Sequence, residues 1–132
     1  MKIKLLLLIL VCTFTKYSEA MNVSVSTSQF HNGEKSYIEI YSRIISNSIR
    51  YKSIDSTSDK TQASVEYTVI FRSQDAIVMA DKYKLDSPLS IEAIDFSDMR
   101  RYGLEDGSYD IELQYVDLNN TKDTLILSLI HI

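Results

Sequence analysis

The sequence predicts an all-β chain, folded as an antiparallel sandwich of about seven to eight strands. Three observations carry this expectation. Apolar and polar residues alternate with period two through most of residues 21–126. The alternating segments are rich in Val, Ile, Tyr and Thr. Turn residues recur roughly every ten positions, the spacing of a sandwich. No segment of ten or more positions carries apolar residues at helical spacing.

Ahead of the strands, residues 1–20 read as a secretory signal peptide. Lys2 and Lys4 precede the apolar run Leu5 to Val11, and Ser18-Glu19-Ala20 offers small residues at a cleavage site. That run is too short for a bilayer, which needs about 20 residues. Cys12 opens an alternative, acylation as a lipoprotein, but Val11 stands where a small residue is expected. Cleavage after Ala20 leaves about 112 residues and no cysteine, so a single domain relies on its core without disulfides. With Lys2, Lys4, Lys16 and Glu19 gone, 11 basic and 17 acidic side chains remain, a net charge of −6. That balance argues against nucleic acid and anionic lipid as partners.

Within 21–126, Val23 and Val25 alternate with Ser24 and Ser26 in a first short strand. "KSYIEIYSRII" sets Ile38 and Ile40 on one face and Tyr37, Glu39, Tyr41 and Arg43 on the other. "NSIRYKSI" is expected to follow as a strand, and the polar run from Asp55 to Thr61 as a loop. "SVEYTVIFRS" is the best candidate for a central strand, with Val65, Tyr67, Val69 and Phe71 sharing a face. After a turn at Ser73 to Asp75 comes "AIVMADKYKL", until Ser87-Pro88 interrupts the pairing. "LSIEAIDF" is expected as another short strand, and Asp95 to Arg101 as the one helical turn.

"LEDGSYDIELQYVD" is the most patterned stretch. Gly107 stands two residues before Tyr109, and Ile111, Leu113 and Tyr115 follow at alternate positions. This is the layout of a tyrosine corner, in which a late-strand tyrosine bonds back upstream where the chain crosses between sheets. The corner points to an immunoglobulin-like or fibronectin-type-III-like sandwich. The competing reading is a β-hairpin turning at Asp106-Gly107. Both are structural.

The segments "SYIEIYSRIISNSIRYKS", "SVEYTVIFRSQDAIVMADKYKLDSP" and "IDFSDMRRYGLEDGSYDIELQYVDLNN" resemble, in content and order, the N-terminal region of GWxTD domain-containing proteins. These are Gram-negative envelope proteins in which a β-sandwich of this kind follows a signal peptide. The resemblance implies no activity for this region. It implies periplasmic, outer-membrane-associated or extracellular placement, and a further C-terminal domain. No Gly-Trp-x-Thr-Asp occurs here, and the chain has no Trp. The closing "LSLIHI" matches the translation of a common transposase-type sequencing adapter. Residues 127–132 are therefore expected to be a non-native tail of a truncated frame; the alternative is an ordinary apolar edge strand.

Little chemistry is legible. His31 lies in a polar turn and His131 in the tail, neither in a triad context. The mature chain offers no cysteine, no clustered histidine and no Gly-rich phosphate loop. Asp95, Asp98, Asp106 and Asp110 are expected to be solvated turn residues. Their functional alternatives are a carboxylate hydrolase or a calcium loop, though the spacing matches no EF-hand. The sequence thus assigns no catalytic residue, cofactor or metal. Asn22-Val-Ser24 and Asn119-Asn120-Thr121 fit a glycosylation pattern, which matters only in an exported eukaryotic protein. Tyr37, Tyr41 and Tyr83 are expected opposite the core face, as an interaction surface for a protein or, alternatively, a glycan. A non-enzymatic interaction module is the leading expectation, a carbohydrate-binding module the second.

Overall fold

The computed structural model describes residues 20–130. The expected signal segment through residue 19, with Cys12, and His131 lie outside the described residues.

Nine antiparallel strands build the chain: β1 (Val23–His31), β2 (Ser36–Ile44), β3 (Lys52–Ser53), β4 (Thr61–Gln62), β5 (Ser64–Ser73), β6 (Ala76–Asp86), β7 (Phe96–Leu104), β8 (Asp110–Asp117) and β9 (Thr124–Ile130). One three-stranded sheet has the order β1-β2-β7, and a four-stranded sheet the order β6-β5-β8-β9. β3 and β4 form a two-residue ladder between them in sequence. Seven main strands in this order are the fibronectin-type-III-like arrangement of an all-β sandwich.

Period-two alternation decides which side chains fill the space between the sheets. β5 buries Val65, Tyr67, Val69 and Phe71, and β8 buries Ile111, Leu113 and Tyr115. From the other sheet come Ile38, Ile40 and Ile44 of β2, with Phe96 and Tyr102 of β7. β5 lies between β6 and β8, as its pattern predicts. The turn after it uses Gln74 and Asp75, both at positive φ (51° and 66°), the backbone that a two-residue hairpin of matching twist requires.

Three local expectations are corrected. Asp95 to Arg101 is not a helical turn: Phe96 to Arg101 belongs to the nine-residue strand β7, paired along its length with β2. Its inner row is Phe96, Asp98, Arg100, Tyr102 and Leu104, opposite Ile44, Ser42, Ile40, Ile38 and Ser36. Two charges on the inner side conceal the alternation. "NSIRYKSI" forms a 3-10 turn at Ser46–Ser48 and only the short β3. Here the buried Asp117 Oδ2 accepts the Arg50 N–H at 2.8 Å, so that amide is taken by a side chain rather than a ladder. "LSIEAIDF" contributes a single bridge, Ser90 to Thr61, before β7 begins at Phe96.

The crossing from β7 to β8 takes the chain from one sheet to the other, so Asp106-Gly107 does not turn a hairpin. Tyr109 Oη donates to the Glu105 carbonyl at 2.8 Å, closing the loop upon itself. A Cβ on Gly107 would meet the Tyr109 ring at 3.7 Å, an ordinary contact, so Gly107 is not forced by crowding. We expect Tyr109→Phe to keep the fold but lower stability by about 1 kcal/mol, one hydrogen bond's worth. Urea unfolding with an unchanged slope would register it.

Tyrosine hydroxyls between the sheets divide into two kinds. Tyr115 Oη meets Ser42 Oγ across the core at 2.7 Å. Tyr67 Oη is buried without a hydrogen-bond partner in the protein. Burial pushes both phenols up, Tyr115 to about 12. Tyr115→Phe should therefore cost about 1–2 kcal/mol, because Ser42 is left buried and unbonded. Tyr67→Phe should be neutral or stabilising by up to about 1 kcal/mol. Thermal melts of the two variants, run side by side, check the contrast.

Candidate functional site

The register of β1, β2 and β7 lays out the outer face of the three-stranded sheet row by row. Phe30, Tyr37 and Gly103 form one row; Ser28, Glu39 and Arg101 the next. Ser26, Tyr41 and Met99 follow, then Ser24, Arg43 and Ser97. The central strand thus carries two tyrosines about 13 Å apart, four residues at strand spacing. Serines line β1 beside them.

Glu39 organises this face. It sits on the solvent side of the sheet, yet its side chain is only 6% exposed. Tyr41 Oη donates to Glu39 Oε2, and Arg101 donates to Glu39 Oε1 from Nε at 2.9 Å and from Nη2. The Tyr41 hydrogen bond, then the Arg101 guanidinium, hold the Glu39 carboxyl below its ordinary range. The same bond raises the Tyr41 phenol. Arg101 lies over the Tyr37 ring, 4.8 Å from its centroid, while Phe30 stacks on Tyr37 with centroids 5.1 Å apart and planes at 16°. Phe30 (43%), Tyr41 (39%) and Met99 (46%) are the large exposed apolar side chains of the face. The carboxylate therefore ties Arg101 and Tyr41 down, and Arg101 and Phe30 together fix Tyr37.

Tyr83 is not on this face. Its partner in register is Tyr67 of β5, so alternation turns it inward, a correction to its expected outward placement. Its ring packs on Tyr67 at 4.8 Å, carries Arg100 at 3.5 Å from its centroid, and its hydroxyl donates to Asp98 at 2.9 Å. Burial, then Asp98, raises its phenol. Tyr37 and Tyr41 are thus brought together, and Tyr83 is separated from them by the sheet.

The carboxylates singled out in the sequence have separate partners. Asp95 accepts the Ser46 N–H at 2.9 Å and pairs with Arg43 at 2.8 Å, bonds that lower its pKa in that order. Asp98 holds Tyr83 and Arg100, and Asp106 accepts Ser36 Oγ at 2.5 Å. Asp110 opens β8 exposed. His31 Nδ1 lies 3.0 Å from the same Ser36 Oγ. Histidine, serine and aspartate thus meet, but serine is in the middle. A nucleophilic triad needs histidine in the middle, oriented by the acid. Among the described residues no group of three His, Cys, Asp or Glu could hold a metal ion, and no helix is long and apolar enough to cross a membrane. Asn119 Nδ2 donates to the carbonyls of Arg50 at 2.8 Å and Gln62 at 3.3 Å, so this sequon asparagine is engaged in the fold.

Sequence reasoning missed Glu39, Phe30, Met99 and Arg101 as members of one surface. Only the pairing of β1 and β7 with β2 joins them. The signal available was Glu39 itself, an acid between two isoleucines that the alternation sets outward.

The ionisation of Glu39 has a testable consequence. A carboxylate whose folded pKa is depressed stabilises the fold above its unfolded value, near 4.3, and that stability is lost as pH falls through the folded value. The urea midpoint of the wild type should exceed that of Glu39→Gln at pH 7. The gap should narrow as pH drops below about 4.

No protein-family model matches the chain, and no curated protein matches it. Among solved structures it is similar to the protein named ApaA from Bordetella pertussis, with 10% sequence identity and a TM-score of 0.46. The alignment covers 86% of this chain and 93% of that one.

Proposed function

We propose that this chain is a non-enzymatic, exported β-sandwich module that binds another protein through the outer face of its three-stranded sheet. The observation that carries the proposal is the burial of Glu39 beneath Arg101 and Tyr41 on a face where an acid would ordinarily be solvated. The cost of desolvating a carboxylate is met by an arginine and a phenol, and the product is a set of immobilised side chains. Tyr, Arg, Met and Phe are the residue types enriched in protein interfaces. Holding them in place before binding reduces the entropy lost on association. Ser24, Ser26 and Ser28 of β1 and Gly103 of β7 flank them with little side-chain bulk.

The resemblance to the N-terminal region of GWxTD domain-containing proteins supplies the setting for this reading, an envelope protein in which the sandwich works by contact. The partner would be a further domain of such a protein or another envelope component. The net charge of −4 for the whole chain gives no support to a polyanionic partner. A sheet-face sugar platform is less well supported, because the Tyr37 ring already carries the Phe30 stack and the Arg101 guanidinium.

A photo-crosslinking residue placed at Tyr41 or Met99 in the producing cells tests the proposal. Discrete crosslinked products from these two positions, and none from Ile126 on the outer face of the other sheet, are expected. Products from Ile126 with none from Tyr41 or Met99 would overturn it.

A further inference from the structure

One cleft of about 280 Å³ opens at the end of the sandwich where the β1–β2 hairpin meets the crossing before β8. Its walls include Phe30, Tyr37, Leu104 and Tyr109, with His31, Ser36 and Asp106 among its polar groups. The volume is slightly under the roughly 300–1,000 Å³ of ordinary small-molecule pockets. It takes the end of a chain molecule rather than a long one.

We propose that this cleft binds the terminal ring of an uncharged saccharide, with Phe30 as the stacking surface and Asp106, Ser36 and His31 as the hydroxyl-binding edge. Three features of the chemistry support that class. A sugar ring needs an aromatic face for its C–H side and a line of donors and acceptors for its hydroxyls. Phe30 is exposed, and its ring is already held by the stack on Tyr37, a ring that Arg101 also contacts. The polar line is continuous: Ser36 Oγ donates to Asp106 Oδ1 at 2.5 Å, and His31 Nδ1 lies 3.0 Å from Ser36 Oγ. The second Asp106 oxygen and the far imidazole nitrogen are the groups that vicinal hydroxyls would reach.

Charge sorts the sugars further. Glu105 and Asp106 both line the cleft, and neither is ion-paired among the described residues. Acidic sugars are therefore repelled, and neutral ones accepted. Both walls are rigid, since the hairpin is laddered and the crossing is tied by Tyr109 Oη to the Glu105 carbonyl. The site is separate from the protein-binding face around Tyr41 and Met99, though Phe30 and Tyr37 border both.

Amide correlation spectra of the isotope-labelled full chain, titrated with neutral disaccharides of glucose, galactose and N-acetylglucosamine, test the assignment. Shifts confined to residues 29–38 and 104–109 are expected for at least one sugar. Phe30→Ala and Asp106→Asn should each weaken it about tenfold or more. Ile126→Ala, on the outer face of the other sheet, should leave it unchanged. The spectra also report whether each variant is folded, and Phe30→Leu serves as a second probe of stacking if Phe30→Ala is not. Cleft residues silent to every sugar, binding unaffected by the loss of the Phe30 ring, or equal binding of uronic acids would each overturn the proposal.

Discussion

The two sheets are held in register by phenol hydroxyls that find partners on the opposite sheet. Tyr115 of β8 meets Ser42 of β2, Tyr102 of β7 donates to Asp81 of β6 at 2.9 Å, and Tyr83 of β6 donates to Asp98 of β7. A buried hydroxyl left unbonded costs more than a made bond gains, so each pair favours one relative placement of the sheets. The described chain has neither disulfide nor tryptophan to do this. Tyrosines supply the bulk that fills the space and the directional bonds that fix it. Tyr67 is the exception, with bulk but no bond.

The same constraint explains the unusual edge between β6 and β7. Asp98 and Arg100 point inward from an outer strand of their sheet, opposite Ser42 and Ile40. They bond one another at 3.2 Å and engage Tyr83, closing the side of the sandwich. Inward charges also discourage further strand pairing at that edge. At the opposite corner, buried Asp117 accepts the amides of Arg50 and Asn119, anchoring the irregular stretch after β2 to the end of β8. Asp98 and Arg100 thus close a sheet edge, and Asp117 closes the end of a strand.

These placements mark how much of the fold was legible in the sequence. β5 and β8 were readable because Val65, Tyr67, Val69 and Phe71 of one and Ile111, Leu113 and Tyr115 of the other keep period two, with the buried Asp117 only at the end of β8. β7 was not, because Asp98 and Arg100 occupy its inner row and mimic a polar turn. Tyr83 was misplaced for the same reason: in "AIVMADKYKL" nothing local tells which row faces inward, and pairing with Tyr67 decides it. The corner was readable as Gly107 and Tyr109, but its distinction from a hairpin lies in the strand partners, Ser36–Ile44 for β7 and Ser64–Ser73 for β8. Of the candidate site, Tyr37 and Tyr41 were visible as outward aromatics on one strand. Phe30, Met99 and Arg101 come from sequence positions up to some sixty residues away, and only the sheet assembles them.

The two outer faces then differ in how their ion pairs are held. The four-stranded sheet carries Glu66–Lys82 at 2.9 Å and Arg72–Glu112 at 3.1 Å, with their side chains a quarter to more than half exposed. Pairs of this kind contribute about 0–1 kcal/mol each and leave their side chains mobile. On the three-stranded sheet the single central pair is covered on its acidic side, and it holds aromatic rings rather than water. The lowered Glu39 pKa adds to fold stability at neutral pH, and the same bonds hold the side chains of that face. One carboxylate thus restrains an arginine and a tyrosine directly, and a second tyrosine through that arginine, on an open face of the sheet.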